Sequence, residues 1–167
     1  MTTEPAYTIS EAAAQIQRWR NTGEKIVFTN GVFDILHRGH VTYLTAAQAL
    51  GHRLIVGLNA DASVKRLNKG PERPIHDQQA RAIVLSALRC VDAVVIFEED
   101  TPLELIEALQ PDVLVKGGDY NPEETDSTSP RYMVGSKETR LRGGEVHSIT
   151  IVEGYSTTKA IEKLKGK

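Results

Sequence analysis

The chain has 167 residues, 20 basic and 22 acidic, with a formal net charge of −2 and 40% hydrophobic residues. That length suits a single domain burying roughly 70% of the surface its unfolded chain exposes, so it needs no staple. The balanced charge argues against a general nucleic-acid binder. The single cysteine, Cys90, excludes an internal disulfide and a multi-cysteine metal site and is expected in the core. No apolar run reaches the roughly 18 residues of a membrane span. The N-terminus has no signal-peptide pattern. These features predict a cytoplasmic protein with no membrane or nucleic-acid partner, built as one domain over residues 1–167.

Along the chain, Ser10 can cap a helix to about Asn21, ended by Gly23. Lys25–Thr29 is a short run of β-formers, the first strand. A helix bearing Val41, Leu44, Ala47 and Leu50 runs to Gly51, placed as the glycine after its end. Arg53–Leu58 is the second strand, and Asp61 can cap a short helix after it. A loop over Asn68–Ile75 carries Gly70, Pro71 and Pro74. Asp77 caps a helix to about Arg89, with Ile83, Val84, Ala87 and Leu88 as its apolar face. Ala93–Phe97 is the third strand. Thr101 caps the next helix, with Pro102 at its first position, and Pro111 follows its end. Asp112–Lys116 is the fourth strand. After a polar stretch, Asn121–Pro130, a helix runs to Arg142 and stops at Gly143-Gly144. Glu145–Val152 is the fifth strand, and Ser156 caps a last helix to about Leu164.

The strands are continuous apolar runs, which marks a sheet covered on both faces. Alternating strands and helices predict an α/β fold, a Rossmann-like, doubly wound, five-stranded parallel sheet. Such sheets bind ligands beyond the carboxyl ends of their strands. Thr29–His40, Leu58–Lys69, Lys116–Tyr120 and Glu153–Lys159 are therefore expected on one face.

The strongest chemical signal is Thr29-Asn-Gly-Val-Phe-Asp-Ile-Leu-His-Arg-Gly-His40, between the first strand and the following helix. His37 and His40 flank Gly39, which lets backbone approach a ligand. A helix N-terminus there is a ready anion site, and two imidazoles beside it can donate to phosphate oxygens. His52, His76 and His147 fall outside this pattern and read as surface or structural residues. Trp19 reads as packing.

The segment resembles the His-x-Gly-His signature of the nucleotidylyltransferase superfamily. It is closest to the Thr-Asn-Gly-x-Phe-Asp-x-Leu-His-x-Gly-His form of the cytidylyltransferase-like branch. Further matches follow in order: Asn59–Leu67, Arg73-Pro74, Gln79-Ala-Arg81, Glu98–Pro102, Leu114–Tyr120 and Gly154–Thr158. Together they resemble the adenylyltransferases that act on D-glycero-β-D-manno-heptose 1-phosphate, over roughly residues 24–165.

The resemblance implies transfer of an adenylyl group from ATP to the heptose 1-phosphate. The products would be pyrophosphate and ADP-heptose for lipopolysaccharide or another surface glycan. His37 and His40 would bind the triphosphate and stabilise the pentavalent phosphorus, with Lys65 as the third catalytic group. Thr29, Asn30, Gly31, Phe33 and Gly39 would border the nucleotide. Asp61 and Lys69 would approach it from the second segment, although Asp61 reads equally as a helix cap. Which of Lys65, Arg66 and Lys69 meets phosphate stays open. Lys116–Tyr120 would run under the nucleoside, with Gly117, Asp119 and Tyr120 as its binding residues. Gly154, Ser156, Thr157 and Thr158 would face the phosphates from the last helix. Asn30, Asp34, Lys65 and Arg81 are the expected acceptor-binding residues. Asp34 is alternatively a turn cap, and Arg81 is preferred over Arg89. Mg²⁺ would be bound mainly through the nucleotide. The resemblance also implies a homodimer. It implies a stand-alone transferase without the sugar kinase fused to many relatives. Asn121–Met133 is longer than this branch leads one to expect and reads as a tolerated insertion in preference to a mobile lid.

One alternative is a cytidylyltransferase acting on glycerol 3-phosphate or a similar small phosphate. Those relatives carry Arg-Thr before the glycine of the last motif, where this chain has Ile151-Val152-Glu153-Gly154. An aminoacyl-tRNA synthetase fragment would need a tRNA-binding surface that this chain is too short and too evenly charged to supply. A dehydrogenase is disfavoured because the first turn lacks G-x-G-x-x-G. The alternative from another class is a nucleotide-binding regulatory module without turnover.

Overall fold

The computed structural model describes residues 6–68, 70–152, 154–164 and 166, with the side chain of residue 159 outside that description. Five parallel strands lie in the order β3-β2-β1-β4-β5. They are β1 (Ile26–Gly31), β2 (Arg53–Asn59), β3 (Ala93–Phe97), β4 (Val113–Gly117) and β5 (Glu145–Ile149). The helices are α1 (Ile9–Asn21), α2 (Arg38–Gln48), α3 (Asp61–Arg66), α4 (Gln78–Ser86), α5 (Leu103–Leu109), α6 (Ser136–Leu141) and α7 (Thr157–Leu164). This is the Rossmann-like parallel α/β sheet expected from the sequence.

The continuous apolar strands are explained by two cores, one on each face of the sheet. Val27, Val56, Val113 and Val115 point to one face, where Tyr43, Leu44 and Ala47 of α2 and Ala82 and Leu85 of α4 cover them. Phe28, Ile55, Val95 and Leu114 point to the other, under Ala12 and Ile16 of α1 and Leu105 and Ile106 of α5. Side chains alternate along a strand, so the residues ending the strands inherit these faces. Thr29 follows Val27, and its hydroxyl lies 2.6 Å from that of Tyr43. Asn30 and Lys116 follow Phe28 and Leu114 onto the α1/α5 face. Cys90 packs against the edge of the α2/α4 core. Trp19 packs on the α1/α5 core beneath the Arg53 guanidinium.

Several element ends differ from expectation for local reasons. The cap of α1 is Thr8, not Ser10. Its hydroxyl accepts from Glu11 N while the Glu11 carboxylate accepts from Thr8 N, a reciprocal capping box. Pro102 stands at the cap position of α5, which starts at Leu103. Asp61 is the first residue of α3 and does not cap it; the cap position is Ala60. Strand β5 stops at Ile149 because Gly118, at φ +103°, turns β4 away after the Gly117–Ile149 pair. Helix α4 stops at Ser86 and is rotated from the expected phase. Arg81, Ala82 and Leu85 are buried, whereas Ile83 and Val84 are 55% and 51% exposed. The rotation follows from the buried hydrogen bonds of Arg81 described below.

Candidate active site

A cleft of about 570 Å³ opens along the carboxyl edge of the sheet. Its floor is the loop between β1 and α2. Phe33 there has φ +46°, a left-handed conformation that a non-glycine residue adopts only when its surroundings demand it. The Phe33 ring lies where a side chain at Gly31 would stand: a Cβ at that position would be 2.9 Å from it. The same ring meets His40 edge-on at 5.4 Å.

Asp34, next in the loop, is fully buried at its side chain. It accepts from Arg73 Nε at 2.6 Å, Ile75 N at 2.9 Å and His76 N at 3.0 Å. Burial alone would raise its carboxyl, but the His76 and Ile75 amides and the Arg73 guanidinium outweigh that and hold it below the usual range. Asp34 thereby fastens the 73–77 loop to the floor of the cleft.

His37 occupies the cap position of α2 with an extended backbone and no side-chain cap, so the helix start is left to an outside acceptor. The rings of His37 and His40 stack with centroids 3.9 Å apart and planes 21° from parallel. Gly39 permits this: a Cβ there would lie 3.0 Å from the His37 ring and 3.3 Å from Tyr155 Cβ. The buried Nδ1 atoms of both histidines have no hydrogen-bond partner of normal geometry. Burial and then the neighbouring His37 push His40 down to about 4, against an upward pull from the Ile35 backbone. Burial also lowers His37. Both rings are therefore neutral at pH 7, each with one N–H to donate.

The protein should accordingly lose stability on acidification. Unfolded His40 binds its proton near pH 6.5 and folded His40 only near 4, so between these values the unfolded state carries more protons. Stability of up to about 3 kcal/mol, full above pH 6.5, is then lost as the pH falls to 4. Asp34 acts in the same direction but only below its ordinary carboxylate range. Urea titrations at several pH values should show the upper window shrink in His40→Asn to the smaller part that His37 contributes. An unchanged upper window in that variant would contradict the assignment.

The third wall of the cleft is the start of α7. Ser156, Thr157 and Thr158 line it, and Thr157 Oγ1 donates to Ile35 O at 3.2 Å, tying α7 to the histidine loop. Tyr155 lies 6.2 Å from the His37 ring and carries the Arg38 guanidinium at 5.7 Å. Across the cleft, Lys116 Nζ donates to Asn30 Oδ1 and stands 5.8 Å from the Tyr120 ring. Gly117 leaves no space for a side chain, since a Cβ would meet the Tyr43 ring at 3.0 Å.

Of the residues singled out in the sequence, Asn30, Gly31, Phe33, Asp34, His37, Gly39 and His40 line the cleft. So do Gly117, Tyr120, Ser156, Thr157 and Thr158. Thr29 lies buried just beneath, against Tyr43. Lys65, Asp61, Asp119 and Gly154 stand outside the lining, and Lys65 and Arg89 are exposed. Arg66 pairs with Asp100 at 2.5 Å. Lys69 and Glu153 lie outside the described residues. Arg81, expected at the acceptor phosphate, is instead buried behind the wall. Its guanidinium donates to Val32 O at 2.7 Å, His76 O at 3.0 Å and Asp61 Oδ1 at 2.6 Å. The 121–133 segment is built into the cleft wall. Tyr132 and Val134 line the cleft, Met133 is fully buried, and Asn121 N donates to Arg131 O at 3.0 Å.

Sequence reasoning placed Lys116 only within the segment expected under the nucleoside, named no role for Tyr132 or Tyr43, and took Arg73 only as a motif match. Strand alternation would have found Lys116, which ends β4 on the face of Phe28 and Asn30. Tyr132 and Arg73 reach the site through tertiary contacts that leave no local pattern.

A family model described as cytidylyltransferase-like matches residues 28–163. The chain is similar to curated proteins named Bifunctional protein HldE. That of Magnetococcus marinus is 52% identical over 95% of this chain and 31% of its own length. That of Geotalea uraniireducens is 54% identical over 92% of this chain and 29% of its own. The chain thus spans about a third of the length of these relatives. Among solved structures, it is similar to a lipopolysaccharide core biosynthesis protein from Thermoplasma volcanium. That likeness has a TM-score of 0.59 and 28% identity, covering 80% of this chain and 100% of the other. A pantoate-beta-alanine ligase from Francisella tularensis has a TM-score of 0.56 at 14% identity, covering 96% of this chain and 76% of the other, a likeness of fold alone.

Proposed function

We propose that this chain, which belongs to the cytidylyltransferase-like family, is a nucleotidyltransferase. From that premise we propose that it transfers the adenylyl group of ATP to D-glycero-β-D-manno-heptose 1-phosphate. An oxygen of the sugar phosphate forms a bond to the α-phosphorus. The bond from that phosphorus to the oxygen bridging to the β-phosphorus breaks, and pyrophosphate leaves with the electron pair. The observation that carries the reading is the stacked, neutral His37–His40 pair at the uncapped start of α2, inside the cleft. The Leu114–Tyr120 and Gly154–Thr158 motifs and the relatives above support the adenylyl and heptose assignments.

In this mechanism the protein supplies position and charge stabilisation and forms no covalent bond to substrate. His37 and His40 donate N–H groups to the α- and β-phosphate oxygens as charge develops there. The start of α7, with the Ser156 and Thr158 hydroxyls, holds the outer phosphates. The Gly117 backbone and Asp119 take the ribose. Lys65, on the exposed side of α3, swings in toward phosphate. Asp34 and Arg81 act as positioning residues, fixing the 73–77 loop and the start of α3 around the histidine loop. Among the described residues no group of three or more His, Cys, Asp and Glu side chains could hold a metal ion. Mg²⁺ therefore fits as an ion carried by the triphosphate, whose charge it shields. No helix among the described residues is long and apolar enough to cross a membrane. The homodimer implied by the family resemblance is proposed alongside, to be read from the mass in solution.

Pyrophosphate release on mixing protein, ATP, Mg²⁺ and heptose 1-phosphate tests the reaction, and binding without release would sink the enzyme claim. Replacing ATP with CTP should nearly abolish turnover. Equal rates with the two nucleotides would move the assignment to a cytidylyltransferase.

A further inference from the structure

Helices α2 and α4 lie on the same face of the sheet and both rest on β2, with Leu44, Ala47, Ala82 and Leu85 in a common core. Their outer surfaces are without charge. On α4, Gln79, Ile83, Val84 and Ser86 face solvent, and Ile83 and Val84 are each more than half exposed. The one charged residue of that helix, Arg81, is turned inward onto Val32 O. On α2, Val41, Thr42, Thr45 and Ala46 face solvent. A helix surface left in water is normally its polar, charged side. In a chain with 25% charged residues, an outward apolar pair on a charge-free surface therefore marks a contact with another molecule.

We propose that this face is the interface with a second copy of the chain, the two α4 helices crossing antiparallel about a twofold axis at Ile83. The inference does not rest on the reaction assigned above; it deepens the homodimer proposed alongside it by naming the surface. Two observations select a second copy as the occupant. The first is charge. A twofold contact joins the same patch of both molecules. Ile83 stands midway between Asp77, which caps α4, and Arg89, just beyond its end. Antiparallel helices centred on Ile83 set each Asp77 opposite the second copy's Arg89, so the patch is complementary to itself. Both charges are available for this. Asp77 caps Ala80 N through Oδ1 alone, and Arg89 is exposed and forms no ion pair among the described residues. Such a pair at the rim fixes register more than it adds affinity. The second is shape. Ala80 precedes Ile83 by one turn and Ala87 follows Val84 by one turn. The two small residues leave hollows on either side of the apolar pair, and in an antiparallel crossing each hollow receives the other copy's Ile83 or Val84.

The test is the mass of the full chain in solution, read by sedimentation equilibrium, together with a cysteine placed at the axis. Wild-type protein should run at twice its 18.4 kDa mass. Val84→Glu should raise the dimer dissociation constant by about 100-fold or more, since the twofold places two unpaired charges in one apolar contact. Ile83→Cys, in a Cys90→Ala background, should form a disulfide-linked dimer on mild oxidation, because the axis brings position 83 of both copies together. Leu141→Cys in the same background, 77% exposed on α6 in the wild type, should not. If Val84→Glu fails to fold, the two cysteine variants decide the matter. A monomeric wild-type chain overturns both this surface and the homodimer. A dimer that Val84→Glu leaves intact, or that cross-links at position 141 and not at 83, keeps the homodimer and overturns this surface.

Discussion

Replacing His40 with alanine should lower kcat/KM for adenylyl transfer by roughly 10²–10³, the scale of removing one preorganised charge-stabilising donor. The expectation follows from how much of the local structure is arranged around this ring. His37 stacks on it at 3.9 Å, Phe33 in its left-handed conformation meets its edge, and Gly39 leaves the space between the rings. Burial keeps the ring neutral, at about 4, so it offers an N–H donor at working pH without needing to lose a proton first. A donor already aimed at the developing charge contributes in the transition state more than in the ground state, so the loss should fall mainly on kcat. His40→Asn keeps a donor of similar reach and should retain more activity than the alanine variant. Near-normal turnover of His40→Ala, measured by pyrophosphate release, would refute the role assigned to it.

The histidine site was legible because its parts are contiguous in sequence: one strand end, one turn and one helix start within residues 29–40. The five strands were legible for a similar reason, as each is a run of apolar residues bounded by turns. What escaped depends on tertiary partners. Lys116 meets Asn30 across 86 positions, and Arg73 meets Asp34 across 39. The phase of α4 was misread because periodicity counts arginine as a surface residue. Arg81 is buried here by two backbone carbonyls, those of Val32 and His76, and a backbone carbonyl has no signature in sequence. Ile83 and Val84, expected on the apolar face from their spacing, are turned outward as Arg81 takes the buried position. The capping box Thr8–Glu11 is legible in the residues and takes the cap two positions ahead of the expected Ser10.

Replacing Asp34 with alanine should destabilise the protein by about 3–5 kcal/mol, the cost of removing one partner of a buried ion pair. The Asp34 side chain is fully buried and that of Arg73 is 7% exposed, so the guanidinium left behind would have no water to turn to. The amides of Ile75 and His76 would lose their acceptor in the same step. Catalysis should fall as well, because these bonds hold the 73–77 loop, which through His76 O also carries Arg81 and the start of α3. Stability separates this positioning role from direct substrate contact. A substrate ligand would cost activity with little change in urea midpoint, whereas a buried brace costs both. Removing Arg73 at the same time, in Asp34→Leu with Arg73→Met, should recover part of the lost stability, since no charge is then stranded. If Asp34→Ala keeps the wild-type urea midpoint while losing turnover, Asp34 acts on substrate and the brace assignment is wrong.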